Sequence, residues 1–75
     1  MDKDHDIYQI LEVCWKGEVP GYKYQVQKEK WFGEISYIGI EENEEGREVR
    51  WCLGSKSKMI RECEKMMRER LQENK

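Results

Sequence analysis

Two kinds of apolar stripe run along the chain. In "DIYQILEVCWKG", Ile7, Ile10, Leu11, Cys14 and Trp15 recur at i, i+3, i+4, i+7 and i+8, the spacing of one helix face. Gln9, Glu12 and Lys16 fall on the opposite side, Asp6 with Gln9 makes a capping box, and Gly17 stands where a helix stops. The pattern predicts a first helix over residues 6–16. A strand is the rival, with Ile7, Leu11, Val13 and Trp15 on one face, and the β-branched and aromatic content favours it. The three polar positions at helical spacing decide for the helix.

After the "EVPG" connection the period becomes two. "YKYQVQ" sends Tyr22, Tyr24 and Val26 to one side and Lys23, Gln25 and Gln27 to the other, as in a half-buried strand. "KEK" reads as a tight turn and "WFGEISYIGI" as the second strand, with Gly33 marking a bulge. "EENEEG" reads as an acidic hairpin loop in which Glu41, Glu42, Glu44 and Glu45 are solvated. "REVRWCL" is the third strand, with Val49, Trp51 and Leu53 inward. Met59, Ile60, Cys63, Met66, Met67 and Leu71 then form the stripe of a second helix, from about Lys56 to Gln72, capped by Ser55 or Ser57.

These elements predict an α+β domain in the order α-β-β-β-α: a three-stranded antiparallel sheet with both helices packed on one face. Leu11, Tyr24, Trp51, Cys63 and Met67 are its expected core. The other face carries Ile38, Ile40 and Cys52 among Gln25, Ser36 and Arg50. That mixed, open face is expected to meet water, a protein partner or a second copy.

Composition narrows the function. A chain of 75 residues makes one small domain, residues 1–75. Charged residues are 40% of the chain, yet the formal net charge is only −2. The balance argues against a broad polyanion binder and leaves room for a local basic site. Cys14, Cys52 and Cys63 are odd in number, form no CxxC pair, and have only His5 as a histidine to join them. A zinc site and a disulfide scaffold are therefore not expected, and reduced thiols suit a cytoplasmic or nuclear protein. No apolar run approaches the roughly 18 residues of a membrane span. With one histidine there is no Ser-His-Asp or Cys-His arrangement, so neither an enzyme nor a cofactor is expected.

The predicted order, at this length, resembles the double-stranded RNA-binding domain. "ILEVCWK" is similar to that family's first helix, with Glu12 matching a glutamate that reaches a minor groove. "VPGYKY" resembles its proline–tyrosine entry to the first strand. "LGSKSKM" resembles its entry to the last helix, where Ser55 and Lys56 match directly. The resemblance spans about Asp6 to Leu71 and implies binding of double-stranded or structured RNA. "QKEKW" stands where the family carries a Gly-Pro-x-His loop, and only Lys56 keeps the register of its paired lysines. These departures imply a second expectation, a degenerate member used for protein contact or dimerisation. An inhibitor of a nucleic-acid enzyme, from a phage or mobile element, belongs to that second class.

The chemistry of the last helix's mouth supports the RNA expectation. A helix N-terminus offers unpaired N–H groups and about half a positive charge. Gly54 permits close approach, Ser55 adds a hydroxyl, and Lys56, Lys58 and Arg61 add cations. Gln9 and Glu12 are placed to meet ribose hydroxyls in a minor groove.

Overall fold

Four strands and then one helix make up the structure, a computed structural model that describes residues 7–73. β1 is Tyr8–Val19, β2 Tyr22–Trp31, β3 Glu34–Asn43, β4 Glu48–Trp51, and α1 Lys56–Glu73. The strands form one antiparallel sheet in the order β1-β2-β3-β4. The expected α-β-β-β-α fold, with three strands and two helices, is thus overturned: the segment predicted as the first helix is the first strand. The α-first order implied by the resemblance goes with it. Asp6, of the expected capping box, and His5 lie outside the described residues.

Two β-bulges explain the misleading pattern. The β1–β2 register shifts between Ile10 and Glu12 and again between Val13 and Trp15, leaving Leu11 and Cys14 as extra residues. Each bulge adds one residue to a period of two. One face of β1 therefore takes Tyr8, Ile10, Val13 and Lys16, and the other takes Gln9, Glu12, Trp15 and Gly17. Successive steps of three mimic the helical period. Leu11, expected in the core, is exposed.

Other boundaries move as well. Lys28 to Lys30, expected as a turn, continue β2. The turn is Phe32–Gly33, with φ of 49° and 83°. Two residues with positive φ joining antiparallel strands make a type I′ turn, so Gly33 marks a turn and not a bulge. Glu41 and Glu42 belong to β3, and Glu41 is buried instead of solvated. Val49 and Leu53, expected inward, are exposed.

The helix matches its prediction to within a residue or two. It lays Met59 and Cys63 on Tyr24 and Val26, with Trp15, Trp51, Met66 and Met67 packed around them. Gly39 of β3 lets this happen: a Cβ there would lie 2.7 Å from the Trp51 ring and 2.8 Å from Met59 Cε. Eighteen helical residues span about 27 Å, but the molecule is 52 Å long. The helix covers the half of the sheet nearest Pro20. The half nearest Phe32 has no helix over it.

Candidate functional site

Pairing register assigns side chains to the two sheet faces, because residues opposite one another point the same way. Tyr24, Glu41, Gly39 and Trp51 share the helix face. Gln25, Ser36, Ile38, Ile40 and Arg50 therefore share the face turned away from it. Cys52, expected among them, lies beyond the end of β4 and is exposed. β1 and β2 extend this face with Tyr8 opposite Trp31, Ile10 opposite Glu29 and Val13 opposite Gln27.

The far face has its own small cluster. Glu29 is fully buried there. Trp31 Nε1 donates to Glu29 Oε1 at 3.0 Å, and Arg50 Nη1 lies 3.5 Å from Glu29 Oε2. Arg50 Nε is also 3.6 Å from Glu48 Oε1. Tyr8 and Trp31 pack ring to ring, with centroids 4.4 Å apart and planes tilted by 55°. Burial works against the charge on Arg50, but the Tyr8 hydroxyl and the Glu29 and Glu48 carboxylates outweigh it and raise its pKa. The chain thus neutralises this arginine internally. Beside the cluster, Gln27 Nε2 donates to Gln25 Oε1 at 2.8 Å, while Gln27 Oε1 is buried without a partner.

Apolar groups border the cluster. Tyr8 is 38% exposed, Trp31 39%, Val13 41% and Ile10 50%. Phe32, at the tip of the β2–β3 hairpin, is 74% exposed. A bulky residue with positive φ is strained, so Phe32 is both costly in its backbone and unburied. The sequence carried a signal for this site in Trp31–Phe32–Gly33, an aromatic pair next to a turn glycine. The expected "KEK" turn hid it.

The predicted RNA residues fall into two separate places. Gln9 and Glu12 are exposed on β1, on a strand and not on a helix. β1 is the sheet edge opposite β4, which leads into the helix mouth. The two groups thus sit on different elements, Gln9 and Glu12 on the edge strand β1 and the others at the start of α1. At the mouth, Gly54 has φ 116°, and Ser55 Oγ accepts the Lys58 backbone N–H at 3.2 Å. Ser55 is the N-cap. Lys56, Lys58 and Arg61 are exposed, and the first turn holds no acidic residue.

Elsewhere, a hollow of about 620 Å³ at the Pro20 end is lined by Glu18, Glu42, Glu44 and Lys23 among others. Among the described residues, no group of three or more His, Cys, Asp or Glu side chains is arranged to hold a metal ion. No described helix is long and apolar enough to cross a membrane. A scan against protein-family models matches none, and searches of curated proteins and of solved structures also find no match.

Proposed function

We propose that this chain is a non-enzymatic protein-docking module that works through the sheet face turned away from α1. One observation carries the proposal. Tyr8, Trp31 and Arg50 meet on that face, each partly exposed, with Ile10 and Val13 beside them. Trp, Tyr and Arg are the residue types that most often dominate the binding energy of protein interfaces. Exposed apolar surface grouped in this way, and not scattered singly, is what docking sites present. Site-specific photo-crosslinking in cells tests the idea. Benzoylphenylalanine at position 10 should trap a protein, and at position 61, on the outer side of α1, should trap none. The opposite pattern would refute docking through this face.

A weak phosphate contact at the helix mouth is the second reading. It is supported by the exposed Lys56, Lys58 and Arg61 beside Gly54 and Ser55, with no carboxylate in the first turn. Ser55 Oγ already accepts a backbone N–H, so lysines and remaining N–H groups would make the contact. Duplex RNA titrated at low salt is the test. Binding should show a salt slope on the order of −2 to −4 and vanish when Lys56 and Lys58 are both changed to Glu. An absence of binding by the wild type leaves the mouth a plain cap.

A further inference from the structure

We infer that the occupant of the far sheet face is a second copy of this chain, docked face to face about a two-fold axis. The inference rests on the docking proposal above and adds the partner. Three features of the face select a copy of itself.

Charge is the first. Arg50 is paired within its own chain to Glu29 and Glu48. The three groups leave one net negative charge, on the exposed Glu48 carboxylate, but the side chains that would meet, Tyr8, Ile10, Val13 and Trp31, carry none, so no complementary patch of charge is needed. A two-fold contact requires only a surface that matches itself, and a patch of uncharged apolar side chains does.

Area is the second. Aromatic side chains bury roughly 150–250 Å² each. On that scale the exposed parts of Tyr8, Ile10, Val13 and Trp31, together with Phe32 at the adjoining hairpin tip, amount to roughly 400–500 Å² per copy. Doubled, and with a polar rim added, this approaches the lower end of specific interfaces, about 1,200 Å² in total. The dimer should accordingly be weak and dependent on concentration.

The third feature is the size of the core. Among the described residues, the buried hydrophobics are Tyr24, Val26, Ile40, Met59 and Cys63, whereas eleven large hydrophobics are exposed. Domains this small bury too little surface to be robust alone, and oligomerisation is one of the usual remedies. Pairing through the free edge of β1 is the competing geometry. The bulges at Leu11 and Cys14 break the regular ladder of that edge, which is how edges are kept from pairing. The face remains.

Sedimentation equilibrium, run from micromolar to near-millimolar protein, tests the inference. Wild type should pass from monomer to dimer. Ile10→Lys places like charges across the two-fold axis and should weaken the dimer at least about ten-fold. Phe32→Asn provides the control for folding. Asn-Gly suits a type I′ turn better than Phe-Gly, so this variant should fold at least as well as wild type yet dimerise less. Circular dichroism checks that both variants keep the native fold. A dimer unaffected by either substitution overturns the proposal, because it must use another surface. A wild type that stays monomeric also overturns it, and the crosslink at position 10 then separates the two failures. An adduct with a different protein leaves the docking proposal standing, and no adduct removes both.

Discussion

Arg70 grips Glu41 with two nitrogens: Nε lies 3.2 Å from Oε2 and Nη2 3.3 Å from Oε1. The Tyr24 hydroxyl donates to the same carboxylate, and the guanidinium carbon lies 4.2 Å from the centre of the Tyr22 ring. The last turn of α1 is thereby fixed to the middle strands. Hydrogen bonds to Glu41 and Tyr24 hold the Arg70 pKa above its ordinary value despite some desolvation. Burial, then the bond to Glu41, raises that of Tyr24.

Removing one partner leaves a buried charge unpaired, which costs far more than the pair contributes. Arg70→Ala should therefore destabilise the fold by about 2–3 kcal/mol. Glu41→Gln should cost less, since its amide oxygen still accepts hydrogen bonds and no carboxylate is stranded. Urea unfolding monitored by tryptophan fluorescence measures both. Equal and small losses would mean that the grip contributes little.

Much of this was legible in the sequence, and the exceptions have physical causes. The helix stripe Met59, Ile60, Cys63, Met66 and Met67 and the alternation of Tyr22, Tyr24 and Val26 both appear in the structure as read. β1 was misread because its two bulges turn a period of two into steps of three. Glu41 was misread because its neighbours form an acidic run, which usually marks a solvated loop. A clue was present: Arg70 continues the apolar stripe one turn beyond Met66 and Met67. A cation on a buried stripe calls for a carboxylate on the facing sheet. Of the candidate face, Ile38 and Arg50 were legible, whereas Ile40, expected to be open there, is buried, and Tyr8, Ile10 and Val13 depended on knowing β1 to be a strand.

Cys63 should make stability fall at alkaline pH. Burial, with the nearby Glu62, Glu41 and Glu64 carboxylates, pushes its thiol up to about 11. An unfolded thiol titrates near 8.5, roughly. The folded chain holds this proton more tightly, so the contribution is full below about pH 8.5 and is lost as pH rises toward the folded value. Between pH 8 and 10 the loss should be about 1–2 kcal/mol. Cys63→Ala should be less stable at pH 8 but show a shallower decline, seen in urea midpoints at the two pH values. Tyr24 adds a loss of the same sign at higher pH, since its pKa is also raised.

Gly39→Ala should destabilise by about 1–3 kcal/mol, the usual cost of overpacking a filled core. The added methyl group would press on the rigid Trp51 indole and on Met59 Cε. Thermal unfolding is sufficient to detect it. A neutral outcome would require the indole to move away without loss.

Ser55→Ala should cost about 1 kcal/mol, because the Lys58 N–H loses its acceptor. Ser57→Ala should cost less, since Ser57 is inside the helix and Ser55 already caps it. Comparing denaturation midpoints of the two variants assigns the cap.

The up-and-down strand order has a consequence in time. Each strand pairs with its neighbour in sequence, so the hairpins close over short loops and should form early. The helix follows all four strands, and its grip on Glu41 spans 29 residues. As the chain is synthesised, Tyr24 and Val26 exist before the Met59 and Cys63 that will cover them. The nascent sheet therefore exposes the apolar side chains of its helix face until α1 docks. Docking of α1 is the step at which the nascent chain withdraws Tyr24 and Val26 from anything else that could adhere to them.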